Sequence, residues 1–273
     1  MLPLADGRIA VALGAWRGRR SIGRGSAGRP VALAEAPGGG RVGDSVSSLG
    51  RGGPLGPTPE PDAIRRGREL FHDARLSHDG WMSCHSCHAD GHANGRLVDT
   101  LGDDSYGTPK RTPSLFGVGE TGPWAWDGGM ATLGDQIRKS VASTMRGYPL
   151  YDDQVEAIEA YLRSLPPPPA LESHGDEEAV ARGAATFRRL RCARCHEPSA
   201  FTTPAAYDVG LEDERGHSTF NPPSLRGVGR RRSFFHDGRA GSLAEVFGRF
   251  GHPLDEPMAA GDLADLVAFL RGL

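Results

Sequence analysis

Two five-residue runs constrain this chain more than anything else in it: Cys84-His85-Ser86-Cys87-His88 and Cys192-Ala193-Arg194-Cys195-His196. Each is a C-x-x-C-H. Two thiols three residues apart share one turn, where each can add to a vinyl group of a haem. The His that follows presents its imidazole to the iron as proximal ligand. The spacing predicts one covalent c-type haem on Cys84 and Cys87 with His88 beneath it. It predicts a second on Cys192 and Cys195 with His196 beneath it. A zinc ribbon also pairs C-x-x-C units, but about 15–20 residues apart; here 192 − 84 = 108 positions separate them. A thioredoxin-like C-x-x-C needs a βαβ setting, which the flanking sequence does not provide.

The two motifs use all four cysteines, leaving none for a structural disulfide. Covalent haem is attached outside the bacterial inner membrane, so a periplasmic or exported protein is expected. Met1 to Trp16 carries Asp6 and Arg8 where a signal peptide would be apolar, so no signal is visible and an N-terminus cut or mis-started is expected. No stretch approaches 18 apolar residues, so no membrane span is expected. A net charge of −2 over 273 residues gives no footprint for nucleic acid. The 39 Gly and 21 Pro imply long loops around a core that is largely haem.

Residues 1–57 read as a β-like or disordered segment and linker, with strand-like pieces at Arg8–Leu13 and Pro30–Leu33 and a Gly/Pro-rich stretch from Gly50 to Pro57. Residues 58–169 and 170–273 read as two haem domains. In the first, helices are predicted over Ala63–Phe71, with Ile64 and Phe71 on one face, over about Leu133–Met145, and over Asp152–Leu165. Pro166 to Pro169 then forms a stiff linker. In the second, helices are predicted over Asp176–Leu190, Ser242–Phe250 and a terminal stretch with Leu263, Leu266, Val267 and Leu270 inward. A repeat at an offset of 110 supports the pairing. Pro113-Ser114-Leu115-x-Gly117-Val118-Gly119 matches Pro223-Ser224-Leu225-x-Gly227-Val228-Gly229, Trp126-Asp127-Gly128 matches His236-Asp237-Gly238, and Arg66-Gly67 matches Arg182-Gly183 with about eight extra residues before the first Cys.

From about residue 61 onward the chain resembles the bacterial di-haem cytochrome c peroxidase family, which includes MauG. The likeness rests on the two C-x-x-C-H motifs, each followed by P-S-L-x-G-V and then W-D-G or F-H-D-G-R, and on the ending Phe269-Leu270-Arg271-Gly272-Leu273. The resemblance implies a mainly α fold of two tandem class-I cytochrome c domains, here behind a short β/loop N-terminal segment. It implies peroxide chemistry at one haem, usually the first, and electrons arriving through the other from a small cytochrome c or copper protein. It places Trp126 between the haems and Gln136 beside the peroxide site. Four positions depart from the family. Asp103 aligns with the distal His, Arg146 with the catalytic Glu, Arg111 with the Asn of an inter-haem calcium site, and Phe250 with the Met or Tyr that binds the electron-transfer iron. These suit a divergent branch of the kind that follows a β-propeller.

The sixth iron ligands decide between electron transfer and peroxide binding. Met145, 57 residues past His88, is a candidate ligand or a core methionine. His92 is expected to face solvent. In the second half the candidates are His252 and Met258, the latter at a spacing comparable to Met145, and an open site is a further option. His236 is expected to hydrogen-bond in the interface. Trp124 and Trp126 can both be core. Arg230-Arg231-Arg232 reads as a solvated run, or as a propionate anchor or docking patch. The favoured function is reduction of hydrogen peroxide by a periplasmic di-haem cytochrome. The alternatives are a non-catalytic electron-transfer protein and MauG-like oxidation of a partner protein through Trp126.

Overall fold

The computed structural model describes residues 62–101, 106–171, 176–252, 254 and 258–273, together with four short strands near the N-terminus. The chain divides into two units, Met1–Glu60 and Pro61–Leu273. In the first, β1 (Leu2–Pro3) pairs antiparallel with β2 (Ile9–Ala10), and β3 (Ser21–Arg24) with β4 (Pro30–Leu33). Both stretches expected to be strand-like contain one of these pieces. The Gly/Pro-rich stretch 50–57 and Asp103 lie outside the described residues.

The second unit is mainly helical. In chain order it holds α1 (Ala63–His72), α2 (Cys84–Cys87), α3 (Leu133–Lys139), α4 (Asp152–Ser164), α5 (Glu177–Arg189), α6 (Leu243–Gly248) and α7 (Ala260–Arg271). Two small antiparallel ladders, β5 (Leu97–Val98) with β6 (Lys110–Arg111) and β7 (Tyr207–Asp208) with β8 (Thr219–Phe220), brace the loops.

Helix α1 starts where Asp62 accepts a hydrogen bond from the Arg65 N–H at 2.6 Å, a cap that contributes about 1 kcal/mol. It buries Gly67, Leu70 and Phe71. Ile64, expected on the same face as Phe71, is 46% exposed. The buried face is turned toward Gly67 because α4 crosses there. A Cβ on Gly67 would lie 1.8 Å from the Ala157 carbonyl oxygen. In the second half α5 crosses α7 in the same way, and a Cβ on Gly183 would lie 2.0 Å from the Asp265 oxygen. The repeated Arg-Gly is thus explained: at this crossing backbone meets backbone, and only glycine fits.

The repeated P-S-L-x-G-V block has a matching cause. The Ser114 and Ser224 hydroxyls accept from the N–H groups of Phe116 and Arg226, both at 3.2 Å. Gly117 and Gly227 follow in left-handed conformation, φ +70° and +65°. Their N–H groups donate to Leu165 and Leu273 at 3.2 and 3.0 Å, just past the ends of α4 and α7. Each loop is thereby tied to the last helix of its half.

Two apolar cores result, one around Phe71, Val141 and Ile158, the other around Phe187, Val228 and Leu266. Each large side chain fully buried there contributes roughly 1.5–3 kcal/mol. The halves meet through Lys110 and Asp213 at 3.3 Å, Arg226 and Glu120 at 2.7 Å, and the Asn221 N–H donating to the Trp126 carbonyl at 2.8 Å.

The expected single helix over 133–145 is in fact α3 followed by a π-helical turn, Ser140–Thr144. The wider turn is closed by the Met145 N–H donating to Ser140 at 3.0 Å. It takes up an extra residue and leaves Met145 only 3% exposed.

Candidate active site

The first motif is one turn of helix. The Ser83 N–H donates to the Ser86 hydroxyl at 3.0 Å, and the His88 N–H returns to the Cys84 carbonyl at 2.9 Å. His88 then lies with Nδ1 3.0 Å from the Pro113 carbonyl oxygen. A carbonyl only accepts, so Nδ1 carries the proton and Nε2 keeps its lone pair, the form a metal-ligating His takes. Burial lowers the His88 pKa and keeps the ring neutral. The second motif folds alike, with the His196 N–H donating to Cys192 at 2.9 Å and Nδ1 donating to Phe201 at 3.1 Å. Burial holds His196 down to about 4. None of the four cysteines is in a disulfide, and burial pushes the Cys84 and Cys192 thiols up to about 11.

A cavity of about 350 Å³ opens beside the first motif. Cys84, Cys87 and His88 border it, and Phe71, Leu115, Val118, Ile137 and Leu162 give it apolar walls. Two thiols and a neutral imidazole in an apolar chamber fit a covalently attached haem. Met145, Gln136 and Trp126 border the same space. The Met145 carbonyl accepts from the His78 N–H at 3.0 Å and from Trp81 Nε1 at 3.4 Å, which fixes its backbone. Gln136 sits in the first turn of α3 and donates from Nε2 to the Ser140 hydroxyl at 3.0 Å. Its Oε1 is buried with no hydrogen-bond partner. Trp126 donates from Nε1 to the Arg111 carbonyl at 3.2 Å, and the Arg111 guanidinium lies over its ring at 5.1 Å. Trp124 donates to Val118 at 3.1 Å and packs on the first core. Arg146 is exposed and turned toward the Tyr106 hydroxyl.

The two helix ends above the motifs share a geometry that spacing along the chain conceals. In the first half Met145 donates to Ser140 and Gly147 to Val141, with Arg146 at φ +51° between them. In the second, Phe250 donates to Glu245 and His252 to Val246, with Gly251 at φ +61°. The register is now 105, so the counterpart of Met145 is Phe250, not Met258. Met258 packs against the second apolar core. His252 stands two residues beyond the Phe250 slot, its ring edge-on to Phe235 at 5.5 Å. Its Nδ1 is buried and unpartnered. Burial holds its pKa down to about 4, and His196 is near enough to add to that shift.

Other expectations need correction. His92 is only partly exposed; Nδ1 lies 2.8 Å from the Ser114 hydroxyl and the ring stacks on Phe116. His236 is in the interface, but it is its backbone carbonyl that accepts there, from the Arg111 N–H at 2.6 Å. Its ring stacks on Phe220 at 4.3 Å and leaves Nε2 buried without a partner. The arginine run is not uniformly solvated. Arg230 clasps the carbonyls of Pro169 and Ala170, Arg231 turns into the cavity, and Arg232 is exposed. Sequence reasoning read the run as solvated, or as a propionate anchor or docking patch, without separating Arg231 from its neighbours, and gave Arg111 no role.

The family model for di-haem cytochrome c peroxidase matches residues 61–167. The methylamine utilization protein MauG of Methylorubrum extorquens is 27% identical, over 78% of each chain. The cytochrome c551 peroxidase of Pseudomonas aeruginosa is 24% identical, over 76% of this chain and 77% of its own. Among solved structures, Kuenenia stuttgartiensis hydrazine synthase superposes with a TM-score of 0.67 at 22% identity, covering 77% of this chain and 87% of that one. The comparisons support membership of the di-haem cytochrome c peroxidase/MauG superfamily. Members of that superfamily bind two covalently attached c-type haems, and the cytochrome c peroxidase relatives support a peroxidase-like oxidoreductase activity. The superfamily fold is mainly helical, as here. Among the described residues no helix is long and apolar enough to cross a membrane.

Proposed function

We propose that this chain works in the periplasm and reduces hydrogen peroxide to two waters, with two protons and with two electrons relayed between its haems from a small cytochrome c or copper protein. Residues 58–169 and 170–273 act as the two haem domains. Cys84 and Cys87 hold one haem with His88 as proximal ligand, and Cys192 and Cys195 hold the other with His196. The haems supply the redox chemistry and O–O cleavage; the chain supplies access, orientation and the electron path.

The observation that carries this reading is Gln136. Its amide nitrogen is anchored to Ser140, and its carbonyl oxygen is a buried acceptor without a donor in the cavity of the first motif. Hydrogen peroxide brings O–H donors, and Gln136 receives one and orients the molecule. Met145 borders the same space and must swing aside for peroxide to bind; its fixed carbonyl lets the side chain rotate without moving the backbone. Trp126, at the junction of the halves, is the bridge for electrons. Arg146 takes no part in proton transfer, since it points away from the cavity.

The electron-transfer reading has an observation of its own, the burial of Met145 in the cavity. If Met145 never leaves its place, both irons are closed. MauG-like oxidation of a partner is opposed by the Arg111 guanidinium over Trp126, which disfavours a positive hole on that indole. The test is turnover of hydrogen peroxide by half-reduced holoprotein with a reduced cytochrome donor. Wild type turns over, and Gln136→Ala and Trp126→Phe each lose at least about tenfold in kcat/KM, which is about 1.4 kcal/mol of transition-state stabilisation. Absence of turnover, with both haems low-spin throughout, leaves electron transfer alone.

A further inference from the structure

Several cationic side chains line the cavity beside the first motif. Two of them meet carboxylates: Lys110 faces Asp213 at 3.3 Å, and Arg226 faces Glu120 at 2.7 Å. Arg111 and Arg231 do not. Arg111 is 8% exposed. Its Nε donates to the Phe235 carbonyl at 3.3 Å, and its plane covers Trp126. Arg231 donates to the Ser224 carbonyl. Among the described residues neither guanidinium reaches a carboxylate, and each is close enough to the other for the two charges to repel. A buried cation without a counter-ion is costly, and a repelling pair is more so.

The pair also has a telling position. Arg231 donates to the Ser224 carbonyl, and the neighbouring Leu225 N–H shares the Phe201 carbonyl with His196 Nδ1. Arg111 stands two residues before Pro113, whose carbonyl accepts from His88 Nδ1. Both arginines border the cavity of the first motif, and the loops that carry them also hold the proximal imidazoles of the two motifs. In the first half the repeat position of Arg231 is Thr121, whose hydroxyl only donates to Val118 at 3.1 Å. The charge was placed on one side of the pseudo-repeat.

We propose that Arg111 and Arg231 form a carboxylate-binding site between the two haem attachment motifs, filled by haem propionate groups, so that one pair of charges sets the potentials of both haems. The planar fork of guanidinium suits a carboxylate. The proposal rests on the presence of two haems, which the mass of the denatured holoprotein counts independently.

The experiment is spectroelectrochemical titration of the holoprotein. A nearby cation favours the ferrous iron, which carries one positive charge less. Arg111→Gln and Arg231→Gln each retain two haems and lower the potential of at least one by about tenfold in equilibrium constant, 59 mV for one electron. The freed propionate now titrates, so that potential becomes pH-dependent near neutrality, which loss of packing alone would not cause. Arg111→Lys and Arg231→Lys, which keep the charge, stay nearer wild type. Wild-type potentials do not respond to sodium acetate beyond a matched sodium chloride control. A saturable acetate response means that a free carboxylate fills the pair and overturns the propionate assignment. Wild-type potentials in both Gln variants overturn the site itself. Should a Gln variant lose haem, its Lys counterpart decides: two haems and wild-type-like potentials support the site, and loss there too overturns it. A wild-type mass without two haems would instead sink the di-haem reading.

Discussion

His252 is held in place by the polypeptide alone. Gly251 adopts φ +61°, which glycine reaches without strain, and the next N–H donates back to Val246 at 3.1 Å. Phe235 then abuts the imidazole, and Nδ1 is left buried without a partner. An orphaned buried nitrogen is costly unless something binds it. Iron is the group expected on the His196 side. His252→Ala is therefore expected to turn the second haem from low-spin to high-spin in ferric absorption and EPR spectra, with the first haem unaffected. An unchanged second haem would show that His252 is not the ligand. Phe250 has no atom able to bind iron, so Phe250→Leu leaves both spin states as they are.

At the scale of elements the halves are built by one device, a helix crossing at glycine. A methyl on Gly67 or Gly183 would collide with a carbonyl oxygen of the partner helix, which cannot give way without parting the helices. Overpacking of this kind costs about 1–3 kcal/mol, and against backbone the upper end or beyond is expected. Gly67→Ala and Gly183→Ala should each lower the denaturant midpoint of the holoprotein by that equivalent. Gly261 lies on α7 with nothing within 4 Å of its would-be Cβ. Gly261→Ala should be neutral or stabilising by roughly 0.5–1 kcal/mol. Equal losses at all three sites would show that the close crossing is not what demands glycine. The π-helical turn after α3 belongs to this scale too, because it carries Met145 into the first cavity.

For the whole molecule, the seam between halves carries the pH response. Asp213 is buried there, and desolvation alone would raise its pKa. The N–H groups of His217 and Arg215, at 3.0 and 2.9 Å, and the Lys110 ammonium outweigh that and hold it below 3.8. A carboxylate with a depressed folded pKa contributes its stability above the unfolded value, and the contribution fades as pH falls through the folded value. Asp213→Asn should cost about 1.5–3 kcal/mol at pH 7. The gap to wild type should close below about pH 3.8, as both side chains become neutral. Thermal melts across pH 3–7 check this. A gap that persists undiminished in acid would assign the cost to shape rather than charge.

The chemistry of this protein was fixed by contiguous residues. C-x-x-C-H builds a haem site from one turn, so cofactor type and proximal ligands follow from spacing. The doubled architecture follows from repeated short blocks, because Arg-Gly and P-S-L-x-G-V each encode a local contact. What tertiary structure alone decided is which side chains face the haem cavities. Met145 and Phe250 occupy one structural slot, yet the repeat shifts from 110 to 105 between the start of these helices and their ends, so linear spacing pairs Met145 with Met258. Arg230, Arg231 and Arg232 are chemically identical and adjacent, and only packing sends one to the linker, one inward and one to water. Burial of an Arg or a His depends on neighbours about a hundred residues away, and no local pattern in the chain records them.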